Sequence, residues 1–294
     1  MRDQASKLRQ LMYGEGTGVS TEPQPIDTAA GSAHVIAVTS GKGGVGKTTF
    51  AVNLALLLAE RPAKVLLVDG DLGLANVDVM LGMEPGKHIG HLLLEQCAPE
   101  EVAANGPCGI KVISGGSGLR ELADAGHADR LALMRKLREY SRNFDYVVID
   151  TSPGIGMEVV DFLREADDIL LLTTSEPTSL RDAYAAFKTI SQEMPDKEII
   201  PVVNCATGDQ ARQAMEALNQ VMRKFLGRQC DSWHQVDSDP MVARTIRDRK
   251  SLVRSYPRSP AAVCLRRLAK TLMGKQRNAE PKLGCVVVRS KTIG

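Results

Sequence analysis

The decapeptide SGKGGVGKTT, Ser40 to Thr49, restricts the fold of this chain more than any other stretch. Gly41, Gly46, Lys47 and Thr48 satisfy the spacing G-x-x-x-x-G-K-[ST]. The apolar run HVIAVTS precedes it and a helical pattern follows, which is the strand–loop–helix setting the motif requires. Gly41, Gly43, Gly44 and Gly46 let the backbone wrap a phosphate with its N–H groups inward, where a Cβ would block the approach. The helix N-terminus adds positive potential. The expected phosphate-binding set is therefore Gly41, Gly43, Gly44, Val45, Gly46, Lys47, Thr48 and Thr49. Lys47 is placed to reach β- and γ-phosphates, and the Thr48 hydroxyl to ligate Mg2+. The competing reading is a chance glycine-rich turn. One residue is left over. A phosphate loop needs one lysine near its end, so Lys42 is either a solvated surface charge or a group meant for something beyond its own loop.

After the loop, strands and helices alternate. HVIAVTS, KVLLVDGD, GIKVISGG, FDYVVIDTS, DILLLTTSE and EIIPVVNCA read as strands. Helices are expected over Lys47 to about Glu60, and near 128–142, 157–165, 179–193, 209–225, 240–248 and 259–273. The strands are continuous apolar runs, so both faces are covered. The alternation predicts an α/β fold, a doubly wound and mostly parallel sheet with helices on both faces. Ligands in such sheets bind beyond the carboxyl ends of the strands, which directs attention to the loops after Thr39, Val68, Ile149 and Val203.

Two of those loops carry carboxylates. In YVVIDTSPGIG, Asp150 ends an apolar strand, where an acidic residue orders Mg2+ or its water. Gly154, four residues on, could offer an N–H to a γ-phosphate as a switch. In VLLVDGDLGLANVD, Asp69 and Asp71 end the second strand. A carboxylate there, Asp71 by preference, could position an attacking water. The alternatives are that Asp150 caps a turn or helix, and that Asp69 and Asp71 only cap and orient their loop.

The chain has 294 residues, 43% hydrophobic and 24% charged, with net charge +2. No global field calls for a nucleic-acid or membrane partner. From Arg244 to the end, however, stand fourteen basic residues and two acidic ones. This reads first as solvated helix faces and second as an electrostatic foot for an acidic partner. The six cysteines are scattered singly, which gives no support to a zinc or redox motif. Met1 to Met12 is polar and helical in pattern, unlike a signal peptide. No apolar stretch approaches the roughly 20 residues that span a bilayer. A cytoplasmic chain is expected. Its N-terminal stripe of Ala5, Leu8, Leu11 and Met12 predicts a short amphipathic helix over 1–13. A Gly/Pro/Ser/Thr-rich linker follows over 14–32. A helix this short is marginal alone, which suits docking on another protein or packing on its own domain. The remaining organisation is one domain over 33–274 and a tail over 275–294.

Together, the loop KGGVGKTT with its early lysine, the D-x-D strand end and the D-x-x-x-G-I segment resemble the MinD/ParA family of deviant Walker-A ATPases, over about Val35 to Met273. The resemblance implies ATP and Mg2+ as cofactors and slow ATP hydrolysis. It implies an ATP-dependent homodimer in which Lys42 contacts the nucleotide of the opposite subunit. It places the water-positioning aspartate at Asp71, the Mg2+-linked one at Asp150, and a base-contacting asparagine at Asn204. DQASKLRQLM, with VARTIRDRKSLVRSYPRSPAAVCLRRLA, is similar to the FlhG/FleN branch of flagellar-number regulators. There the N-terminal helix stimulates the GTPase FlhF, which carries partner activation to Asp3, Gln4, Ala5, Leu8 and Arg9, with Gln4 assisting GTP hydrolysis. A flagellar transcription activator and flagellar switch proteins are further expected partners. Weak membrane-surface contact, with a peripheral place at the membrane or pole, is a secondary expectation, and direct DNA binding is not expected. Division-site or DNA-partition positioning is the alternative function. An iron–sulfur reductase sharing this loop would need paired cluster cysteines. Two departures stand out. Asp237 replaces a proline the family usually has, which puts the adenine-side contacts of that loop in doubt, and DTSPGIG differs from the commoner D-T-A-A-G-I. The helix AVCLRRLAKTLM, with Leu265, Leu268, Ala269 and Leu272 on one face, is read first as docked on the domain and second as a membrane-surface element.

Overall fold

The computed structural model describes residues 33–71, 73, 75–94, 96–116 and 126–277. The expected N-terminal helix and linker, with Asp3, Gln4, Ala5, Leu8 and Arg9, lie outside these residues, as does the tail beyond Arg277.

Eight strands form one sheet: β1 (His34–Ser40), β2 (Val65–Gly70), β3 (Ala104–Asn105), β4 (Lys111–Ile113), β5 (Tyr146–Thr151), β6 (Asp168–Thr173), β7 (Glu198–Asn204) and β8 (His234–Val236). Their order is β3-β4-β2-β5-β1-β6-β7-β8. All neighbouring pairs are parallel except β3 with β4. β1 is thus central, with β5 on one side and β6 on the other.

Each strand's apolar run divides between the two faces with the period of two that a strand imposes. Ile36, Val38, Val65, Leu67, Val148, Leu170 and Leu172 enter one core cluster, under helices Lys47–Leu58 and Pro260–Arg277. Ala37, Leu66, Val68, Val147, Ile149 and Ile169 enter the opposite cluster, with helices His127–Ser141 and Met157–Glu165. Helices Pro177–Glu193 and Gly208–Leu226 cover Leu171 and Val203. Helix Lys47–Leu58 is apolar on all sides and buried from Phe50 to Leu58. It lies between the sheet and the last helix, as such a sequence demands. Buried Asn53 inside it is satisfied at both ends, donating to the Thr49 carbonyl (2.7 Å) and accepting from the Val253 N–H (3.0 Å).

The last helix buries Leu265, Leu268, Ala269 and Leu272 in the domain core. Its apolar face is therefore spent on docking. It runs to Arg277, past the Met273 end read from sequence, and Lys275 pairs there with Asp168 (3.3 Å) and Glu198 (2.9 Å). No helix among the described residues is long and apolar enough to cross a membrane. Of the cysteines, Cys230 and Cys264 are buried, but Cys108 and Cys205 are exposed.

Candidate nucleotide site

The loop after β1 turns on two left-handed glycines, Gly44 (φ 79°) and Gly46 (φ 91°). Gly46 is the N-cap of helix Lys47–Leu58, and no side chain caps that end. The first-turn N–H groups therefore have no side-chain acceptor and face the loop, as an anion site requires. Close approach explains a third glycine. A Cβ on Gly41 would stand 2.0 Å from the Asp182 carbonyl oxygen of helix Pro177–Glu193. Gly41→Ala must push the loop off that helix. We expect at least about a tenfold loss in nucleotide affinity and a stability loss of about 1–3 kcal/mol, read by nucleotide titration and thermal melting. Parent-like binding would refute this account of the loop.

The two lysines part company. Lys47 is buried, and burial lowers its pKa while Asp150 and Asp71 oppose the shift. Lys42 turns away from the loop. Its Nζ lies 3.4 Å from Glu176 Oε2 and 3.2 Å from Thr178 Oγ1, at the start of helix Pro177–Glu193. Its side chain is 40% exposed. Glu176 and Thr178 follow β6, one of the two strands beside β1.

Asp69 and Asp150 face each other across paired strands β2 and β5. Both are buried, and burial first pushes each up to about 7; the charge of Asp69 adds to the push on Asp150, and that of Asp71 to the push on Asp69. Asp69 is held by backbone. It accepts from Asp71 N–H (3.0 Å), Asn76 N–H (3.1 Å) and Val77 N–H (3.2 Å), so it caps helix Val77–Leu81 and shapes the loop. Asp71 accepts from Gly73 N–H and from the Ser152 hydroxyl, each at 3.3 Å. Asp150 takes a hydrogen bond from the Thr48 hydroxyl, yet its Oδ1 is buried with no hydrogen-bond partner. A buried, unpartnered carboxylate oxygen beside a threonine hydroxyl fits a hard cation, whose preferred ligands are oxygens. Thr48 and Asp150 are the residues that would hold Mg2+, directly or through water. The ion would supply charge neutralisation for the phosphates.

The remaining expected residues sit on the same rim. Gly154 (φ 98°) donates its N–H to the Ser40 carbonyl (2.8 Å). A switch role would therefore exchange that bond for a phosphate oxygen. Asn204 ends β7 with its Nδ2 on the Val45 carbonyl (2.8 Å), tying strand to loop. Asp237 accepts from Gln235 Nε2 (2.7 Å). The loop, Asp71, Asp150, Gly154 and Asn204 thus meet at the carboxyl end of the parallel strands. Glu176, Thr178 and Ser152 belong there too and were missed from sequence.

This arrangement defines a P-loop nucleotide-binding enzyme. A family model described as an AAA domain matches residues 33–198. The chain is 34% identical to the antiactivator FleN of Pseudomonas aeruginosa, over 86% of this chain and 91% of that protein. It is 30% identical to the flagellum site-determining protein YlxH of Helicobacter pylori, over 94% and 92%. The septum site-determining protein MinD from Pyrococcus horikoshii, solved with Mg-ADP, shares the fold. Its TM-score is 0.69 at 22% identity, covering 83% of this chain and 98% of that one. The chain belongs to the MinD/ParA family of P-loop ATPases, on its FleN/FlhG branch. It is accordingly an ATPase that uses a nucleotide with magnesium.

Proposed function

We propose that this ATPase is a switch controlling flagellar number or placement, and that ATP joins two copies of the chain through Lys42. The observation that carries this is where Lys42 lies. Its ammonium sits on Glu176 and Thr178 at the rim, while Lys47 alone is buried among the carboxylates. A lysine so placed is poorly used by its own phosphates and well placed to meet those of a second copy. Lys47 and the loop N–H groups bind the β- and γ-phosphates, Thr48 and Asp150 hold the metal, and Asp71 orients the attacking water. Asp69 keeps the loop that carries Asp71 in shape, and Gly154 reports the γ-phosphate. Hydrolysis removes the charge that Lys42 neutralises, and the pair weakens.

The flagellar assignment follows the two relatives, one named an antiactivator and the other flagellum site-determining. Output runs through two partners. Residues 1–13 dock on an FlhF-type GTPase, and the ATP-bound pair holds a flagellar transcription activator. The peptide Met1–Tyr13 is expected to accelerate GTP hydrolysis by the FlhF of the same organism, and Gln4→Ala to abolish the effect. No acceleration would remove the GTPase from the partner set and leave the ATPase untouched.

A further inference from the structure

A second concave site lies away from the nucleotide loop. Arg249, Lys250 and Arg254 line a cavity of about 440 Å³, together with Ser251, Ser255 and Leu81. No acidic residue lines it. Some cations of the same segment are matched, Arg244 with Asp248 and Arg266 with Glu60. Arg247, Arg258, Arg267 and Lys270 are not ion-paired among the described residues, but they do not line the hollow. Among the described residues the side chains of Arg249, Lys250 and Arg254 have no such partner, and all three are exposed. Arg249 also takes a left-handed backbone, φ 52°, where glycine costs less than any L residue. A solvated helix face would spread its cations over a convex surface. Here three unmatched cations surround one hollow, an arrangement that repels itself until an anion enters.

We propose that this groove binds a phosphate-bearing anion. Two guanidiniums offer the planar fork that matches phosphate oxygens, and the lysine adds a point charge. Ser255 adds a hydroxyl to the lining, and Leu81 and Pro107 give it an apolar part. The phosphate comes either from a free phosphate compound or from a phospholipid headgroup, and the chemistry at the groove is the same for both.

The test uses the full chain saturated with Mg-ADP, so that the nucleotide loop is filled. Inorganic pyrophosphate is titrated calorimetrically. Phosphatidylcholine vesicles, with and without phosphatidylglycerol, are sedimented with the protein. The combined variant Arg249→Gln, Lys250→Gln, Arg254→Gln is compared with the parent, its folding checked by unchanged ATP turnover. The expected result is binding by the parent that falls at least about tenfold in the variant, the scale of losing charge-assisted hydrogen bonds. It also weakens with added salt. Pyrophosphate binding alone assigns a free phosphate compound, and binding of the phosphatidylglycerol vesicles assigns the headgroup. If the triple variant does not fold, Arg254→Gln alone is expected to cost about threefold. The proposal is overturned if neither probe binds the parent, or if the variants bind as the parent does. It is equally overturned if duplex DNA binds while both probes fail.

Discussion

Lys42→Ala is expected to bind ATP about as tightly as the parent, remain monomeric with it, and lose turnover by about a thousandfold. That loss is the scale of a cation supplied in trans to phosphoryl transfer, about 4 kcal/mol of barrier. Binding survives because the loop N–H groups and Lys47 are untouched. Pairing fails because two nucleotides then face each other without their neutralising ammonium groups. Glu176→Gln is the matched control. It keeps Lys42 but removes the carboxylate that holds it 3.4 Å away in the single chain. Both groups are well exposed, so this contact is worth under about 1 kcal/mol, and ATP-dependent pairing should tighten by no more than about fivefold. Sizing chromatography with ATP and phosphate release under the same conditions decide both. A Lys42→Ala chain that pairs with ATP as the parent does would sink the trans role and leave the nucleotide site standing.

The sheet and the loop were legible in sequence because their signals are local. A continuous apolar run bounded by turns marks β1, β2, β5, β6 and β7, and the glycine spacing marks the phosphate loop. What was not legible is either short or tertiary. Helices Val77–Leu81, Ile89–Leu93, Pro99–Val102 and Leu252–Ser255 are too brief to show a period. β3 has two residues, and β8 reads HQV with little apolar content. Strand order is the larger gap. Sequence directs attention to the loops after β1, β2, β5 and β7, but β6 lies beside β1 as well, on the side opposite β5. The loop after β6 therefore carries Glu176 and Thr178 to Lys42, and it was not among those singled out. The pattern SEPTSLRD held a signal in its glutamate before a proline at a helix start, but only the strand order says which loop it faces. Asp69 shows the same limit. Sequence left open whether the paired aspartates serve the water or their own loop. Three backbone N–H groups now account for Asp69, while Asp71 also meets Ser152 across the site.

Asp150→Asn is expected to stop magnesium-supported turnover and, in the same molecule, to stabilise the ligand-free chain at pH 8. The reason is the cost of holding two carboxylates in one dry place. Burial and then Asp69 push Asp150 from 3.8 up to about 7. The folded chain therefore keeps a proton that the unfolded chain releases. Stability falls as pH rises from about 4 to about 7, and the penalty is complete above the folded value. A shift of that size caps the penalty at roughly 4 kcal/mol. Coupling to Asp69 and the partners an amide itself needs reduce the net gain to about 1–2 kcal/mol, or roughly 3–6 °C in melting temperature. The gap between variant and parent should widen from pH 5 to pH 7 and level off by pH 8. Mg-ADP should close it from the other side. A cation held by Asp150 would offset the repulsion, and ligand binding adds stability to the parent by mass action, whereas the variant gains less. Equal melting at pH 8, or a gap that narrows as pH rises, would show that the carboxylate pair is not strained. The orphaned oxygen would then lose its meaning as a metal ligand. The expected opposite sign for stability and activity at one atom separates a binding group from a structural one, since a residue present only to hold the fold would lose both.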